Sequence, residues 1–154
     1  MEFPDFSWSE VIDNLVHLGI AFGLTVPLAL DRERSARGPG LRTFPLVAIG
    51  SCAFLLIGRS LLEGSESHAR LLYGLMTGIG FIGGGSILRD RANVSGTATA
   101  ASIWNTGAIG AAVAWQRYEI AIALALVNFL LLYFGRSAKT LLPLRSEDAG
   151  DDAS

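Results

Sequence analysis

Charge is scarce in this chain: Asp, Glu, Lys and Arg together make up 17% of its residues, against about 25% in a soluble globular domain. Cysteine is almost absent. Cys52 stands alone, which excludes an internal disulfide, and a lone thiol inside an apolar run behaves as a small buried hydrophobe. The two histidines, His17 and His68, lie far apart. No Cys, His and carboxylate residues share the spacing of metal ligands, so no metal site is expected. No serine, cysteine or histidine set has the makings of an activated nucleophile. A non-enzymatic protein with no cofactor is the expectation. A net charge of −2 offers no basic field for nucleic acid. The N-terminus has no positive region of the kind that opens a cleaved signal peptide, so the first apolar run is expected to be retained.

What the chain does have is long apolar stretches. Hydrophobic residues are 51% of the 154. They concentrate in Val11–Leu30, Thr43–Leu62, Ala69–Leu88, Thr97–Ala114 and Ile120–Phe134. An α-helix of about 20 residues covers the roughly 30 Å hydrocarbon core of a bilayer. The expected fold class is therefore all-α, a polytopic transmembrane bundle of about five spans. The fourth stretch carries Ser102, Asn105 and Thr106, and the fifth is short. Either could dip into the membrane rather than cross it, but backbone groups in lipid must be satisfied internally, which favours full helices.

Basic residues set the orientation. Arg32, Arg34, Arg37 and Arg42 follow the first stretch, Arg89 and Arg91 the third, and Arg136, Lys139 and Arg145 the fifth. Only Arg59, Arg70 and Arg117 fall on the other side. Positive residues collect in cytoplasmic loops, so the N-terminus is expected outside and the C-terminus inside. Trp8, Trp115, Tyr118 and Tyr133 lie near span ends, where amphipathic rings prefer the headgroup layer. The organisation read from this is an extracytoplasmic segment over 1–10, a membrane domain over 11–136 and a cytoplasmic tail over 137–154. The tail ends in an acidic, polar stretch expected to be disordered.

Gly78, Gly80 and Gly83 match the GxGxxG fingerprint of dinucleotide sites, but that pattern needs a preceding strand and an acid about 20 residues on. Here it lies inside an apolar span. Small residues four apart instead suit close helix packing in lipid: Gly19 with Gly23, Gly74 with Gly78, Gly80 with Gly84, and Gly107 with Ala111. Spans one, three and four are thus expected to form a tight centre. Gly83-Gly84-Gly85 either pack or unwind the end of span three, freeing carbonyls for a cavity or a cation.

Pro27 should weaken the helix ahead of Asp31-Arg32-Glu33-Arg34. An ionisable group drawn into a bilayer is costly and generally paired. Asp31, with Arg32, Arg42, Arg89 and Arg91 as candidate partners on the same face, is either a functional centre or an interfacial ion network. Asn93 or Ser95 is a candidate cap for span four. Thr99, Ser102 and Thr106 share one face of that span and are expected to bond across to another helix. Asn105 is a mid-membrane amide that needs a partner.

These residues, from Gly19 to Phe134, resemble the membrane domain of the MgtC/SapB family. The resemblance rests on Asp31-Arg32-Glu33-Arg34 with Gly40-Leu41-Arg42-Thr43, then Gly78-Ile79-Gly80-Phe81-Ile82-Gly83-Gly84-Gly85-Ser86-Ile87, then Asn93-Val94-Ser95-Gly96 with Thr99-Ala100-Ala101-Ser102-Ile103-Trp104. It implies a multi-pass protein of the bacterial inner membrane, associated with growth in low magnesium and with survival of pathogens inside phagocytes. It further implies a regulator that contacts other membrane proteins, the F-type ATP synthase among them. Asp31 stands where the family usually has glutamate, Ala98 where its best-studied members have asparagine, and their soluble C-terminal domain is not expected here. Two readings result. One is a regulator linked to magnesium homeostasis, acting through contacts with itself or other membrane proteins. The other is a small ion transporter or channel, for which Mg²⁺ is the candidate. Both centre on a cytoplasmic-face cluster of Asp31, Arg32, Glu33, Arg34, Arg42, Arg89 and Asn93.

Overall fold

The computed structural model describes residues 7–33, 40–90 and 93–141. The elements are α1 (Trp8–Glu33), α2 (Thr43–Leu61), α3 (Ser65–Gly84), β1 (Leu88–Asp90), β2 (Asn93–Ser95), α4 (Thr97–Ala114) and α5 (Tyr118–Leu141). The expected all-α fold is found, with one addition that hydropathy does not signal. β1 and β2 pair antiparallel, Leu88 opposite Ser95, Arg89 opposite Val94 and Asp90 opposite Asn93. α1 starts at Trp8, so part of the expected N-terminal segment is helical, and it continues through Pro27.

Among the described residues, α1 and α2 are long and apolar enough to cross a membrane, and Tyr118–Phe134 of α5 is a shorter apolar run. The distribution of side-chain size points to the same solvent. Phe81 is 86% exposed, Tyr73 75% and Leu131 68%, while the buried positions of α4 are mostly Ala, Gly, Ser and Thr. Water would drive the large apolar groups inward. Lipid does not distinguish a leucine from its own tails, so helices gain by close approach over small residues.

α4 is the central helix, in contact with α1, α2, α3 and α5, and its most extensive neighbour is α2. This corrects the expected centre of spans one, three and four. One cluster gathers Ala48, Cys52 and Leu55 of α2 with Ile109 and Val113 of α4. A second joins Leu28, Phe44, Ile79, Ile103 and Leu132, one or more from every helix. The reason lies in Gly110, where a Cβ would fall 2.2 Å from the carbonyl oxygen of Ala48. Only a residue without a side chain lets the two backbones meet there.

The other glycines divide sharply. A Cβ at Gly107 would meet the Ile79 side chain at 2.2 Å, and one at Gly83 the Ala100 carbonyl at 3.0 Å, so both lie in helix contacts. Gly19, Gly23, Gly74, Gly78, Gly80 and Gly84 have nothing within 4 Å. Their small faces are exposed and touch no other helix, so they do not assemble the bundle. Gly83-Gly84-Gly85 form a compact turn: Gly85 N–H donates to Phe81 O at 3.1 Å, Ser86 N–H to Gly83 O at 2.9 Å and Ile87 N–H to Gly84 O at 3.1 Å. Each of those carbonyls accepts within the turn, so the end of α3 is closed by hydrogen bonds rather than unwound.

Candidate functional site

At the end of the bundle where α1 finishes, the acidic-basic motif works as a fastener. Arg32 donates from its guanidinium to the Thr99 hydroxyl in the first turn of α4. The Glu33 carboxylate accepts from the Leu41 N–H at 3.0 Å, closing the approach to α2. Gly40 lies directly beneath it: a Cβ there would fall 2.3 Å from Glu33 Oε2 and would displace the carboxylate. Asp31 is half-buried, with its Oδ2 sealed from solvent. Adjacent residues thus serve α4 and the segment leading into α2, as a helix end permits when side chains fan out around the axis.

The remaining cluster residues are distributed more loosely. Arg42 is the N-cap of α2 without a side-chain cap bond, and it is exposed. Arg89 is exposed on β1. Asn93 enters through its backbone pairing with Asp90. Arg34 lies outside the described residues, as do Arg91 and the acidic tail.

The expected cap of α4 is corrected. Gly96 is its N-cap at φ 85°, with no side-chain cap bond, and the Ser95 hydroxyl donates back to Leu88 O at 3.5 Å across the hairpin. A Cβ on Gly96 would fall 2.0 Å from Ser86 O, so conformation and space both demand glycine. The polar face of α4 is buried as expected, but its hydroxyls turn inward. Ser102 donates to Ala98 O at 2.8 Å and Thr106 to Ser102 O at 2.8 Å. Only Thr99 bonds across to another helix. Asn105 is half-buried, and the deeper amide is Asn128 of α5, 4% exposed and with no partner for Nδ2 among the described residues.

The opposite end holds contacts the sequence reading did not foresee. His17 is buried, with Nδ1 2.8 Å from Asp13 O and Nε2 3.2 Å from the Tyr118 hydroxyl. Neutral imidazole fits this pattern with Nδ1–H donating to the carbonyl and Nε2 accepting from the phenol. The bond joins α1 to the first residue of α5. Arg59, in the last turn of α2, donates to Ala114 O at 3.1 Å and satisfies a terminal carbonyl of α4. The signal for the first was Asp13 four residues before His17. Nothing in the sequence pointed to Tyr118 as its partner.

Among the described residues no group of three His, Cys, Asp or Glu could hold a metal ion. Gly78, Gly80 and Gly83 lie within α3, with no strand before them among the described residues, so they do not sit in the strand-to-helix loop that dinucleotide binding needs. The arrangement is that of a helical membrane bundle whose charged motif ties helices together at one end. A profile of the MgtC family matches residues 18–141, and the chain belongs to that family. It is 34% identical over 131 residues to the "Putative magnesium transporter YhiD" of Escherichia coli (strain K12), covering 80% of this chain and 60% of that protein. To "Protein SrpB" of Synechococcus elongatus it is 36% identical over 121 residues, 64% of this chain and 66% of that one. To "Protein MgtC" of Brucella abortus it is 36% identical over 103 residues, 67% of this chain and 43% of that one. It therefore spans about 60% of the length of the first of these relatives. No solved structure matches it.

Proposed function

We propose that this protein is a multi-pass component of the bacterial inner membrane, non-enzymatic, which regulates magnesium homeostasis by contacting itself or other membrane proteins. Its five helices cross the bilayer with the N-terminus outside and the C-terminus in the cytoplasm, following the bias of its basic residues. The magnesium link rests on family membership and on the name of the Escherichia coli relative. The contact mechanism rests on one observation, the unfilled glycine face of α3. Gly74 and Gly78 line a nearly all-apolar groove of about 870 Å³ between α2 and α3, beside Gly50 and Phe54. A second transmembrane helix gains most at such a face, where its backbone can approach closely. Affinity capture in mild detergent, with and without Gly78→Leu, tests this. Recovery of the same partners with the bulky variant removes the groove from the mechanism.

The transporter reading has support in the name of the same relative and in Asp31, the acid set among the helix ends. Mg²⁺ keeps several of its waters and binds through one or two carboxylates. Flux into proteoliposomes separates the readings: transport lost in Asp31→Asn establishes a carrier, and no flux above empty vesicles leaves the regulator. Growth of a deletion strain at low and high magnesium, complemented with wild type or Asp31→Ala, tests the physiological link.

A further inference from the structure

A cleft of about 670 Å³ opens at the end of the bundle where α1 begins, between the first turns of α1 and the last turn of α2. Glu10 and Asp13 stand on its α1 wall, Arg59 and Ser60 on its α2 wall, and Leu18 and Leu56 line its apolar part. Opposite charges on facing walls ordinarily close into an ion pair. Here they do not. Arg59 donates to Ala114 O, the nearest base to the Asp13 carboxylate is His17 at 3.6 Å, and Glu10 forms no ion pair with a described residue.

Each element of the lining narrows the ligand. Two carboxylates alone would suit a cation and one guanidinium alone an anion. Held on opposite walls of one cleft, they suit a molecule carrying both charges. A primary ammonium has three N–H donors to share between two carboxylates. A phosphate accepts the forked donors of arginine. The apolar lining then calls for hydrocarbon attached to the charged part. Ile57, which also lines the cleft, is 54% exposed and extends that apolar path onto the outer surface of the bundle. Trp8, at the same end and 72% exposed, is the kind of residue that sits at headgroup depth.

We propose that this cleft binds the headgroup of a phosphoethanolamine lipid, with the ammonium between Glu10 and Asp13, the phosphate against Arg59 and Ser60, and an acyl chain along Leu18 and Leu56. A choline headgroup lacks the N–H donors and a glycerol headgroup lacks the cation, so selectivity over both is part of the proposal. It rests on the multi-pass reading in that the cleft must lie at headgroup level.

Native mass spectrometry of the full chain in mild detergent, titrated separately with phosphatidylethanolamine, phosphatidylglycerol and phosphatidylcholine, tests it. The expected result is one phosphatidylethanolamine retained about tenfold more readily than either competitor, one charge-assisted contact being enough for that ratio. Glu10→Gln and Asp13→Asn should each erode the preference. Glu10→Gln is the safer variant, because that carboxylate holds no other described part of the protein. Equal retention of the three lipids, or a preference unchanged in both variants, overturns the site. Displacement by soluble phosphoethanolamine at the same concentration as the lipid also overturns it, since the ligand would then be a free zwitterion. Alkaline carbonate extraction of membranes reports separately on the multi-pass reading: release of the chain into the supernatant defeats that reading whatever lipid is retained.

Discussion

Gly110→Ala adds one methyl group at the closest approach of α2 and α4. That methyl would sit 2.2 Å from the oxygen of Ala48, and 3.0 Å from both the Ala48 carbonyl carbon and the Ser51 Cβ, where ordinary contact begins at 3.4 Å. The shortfall against the oxygen is about 1.2 Å. It is not relieved by a rotamer change, because the obstacle is main chain in the middle of a helix. The backbones must separate, and Ala48, Cys52, Leu55, Ile109 and Val113, which pack in the same cluster, lose contact together. Overpacking of this kind costs about 1–3 kcal/mol, and the backbone obstacle places Gly110→Ala at the upper end. Better helix propensity returns up to about 1 kcal/mol, leaving a net loss of about 2 kcal/mol. Gly78→Ala is the matched control. Nothing lies within 4 Å of its new methyl, so the propensity gain stands alone and the two variants should differ by about 3 kcal/mol. Equilibrium unfolding by dodecyl sulfate in maltoside micelles, followed by tryptophan fluorescence, measures both. If the Gly110→Ala midpoint coincides with that of Gly78→Ala, the glycine does not set the approach of α2 to α4 and the reasoning fails.

Three further outcomes are expected. Thr99→Val, which keeps the shape and removes the acceptor of Arg32, should cost about 1.5–3 kcal/mol in the same titration, and Thr99→Ser should restore most of it. Asn128→Leu should stabilise the bundle by about 1 kcal/mol, because it removes a buried amide nitrogen with no described partner and replaces it with a group of similar size; a destabilised variant would show that the amide has a partner. Tyr118→Phe removes the hydroxyl bonded to His17 and should cost about 1 kcal/mol, visible as faster proteolysis near residues 115–118 with the far end of the bundle unchanged.

Hydropathy located all five helices, but not all of their ends: the third stretch, Ala69–Leu88, is a helix over Ser65–Gly84 with Leu88 on β1, and the fifth, Ile120–Phe134, extends to Leu141. Thr97–Ala114 begins and ends where it was expected, as a Gly-Thr start and a Trp-Gln-Arg stop allow. Packing partners were harder to read. A four-residue spacing of glycines says that a face is small, not whether another helix or lipid covers it, so Gly19, Gly23, Gly78, Gly80 and Gly84 resembled contact residues equally with Gly83 and Gly107. Gly110 escaped notice because its partner surface is a carbonyl, and a carbonyl leaves no trace in residue identity. The hairpin was hidden for a similar reason: Leu88–Ser95 lacks an Asn-Gly or Asp-Gly turn, and at its open base the left-handed Gly96 packs against Ser86 O, another carbonyl contact. Asn128 sat inside a leucine-rich run whose composition drew the eye to span length. In the charged motif, Arg32 and Glu33 were legible as important and illegible as fasteners, since Thr99 and Leu41 reach them only through the fold.

The position of α4 bears on how such a bundle is made. It is the most enclosed helix, yet α1 and α2 are the helices whose length and apolar character suit independent entry into a bilayer. A segment carrying Thr99, Ser102, Asn105 and Thr106 gains little from leaving the translocon alone, because each polar residue raises its insertion free energy. It gains far more if α2 already waits beside the exit with Ala48 ready to receive Gly110. On the five-span reading, synthesis order then becomes part of the design: the first two helices enter unaided, and the helix at the centre is admitted by its neighbours.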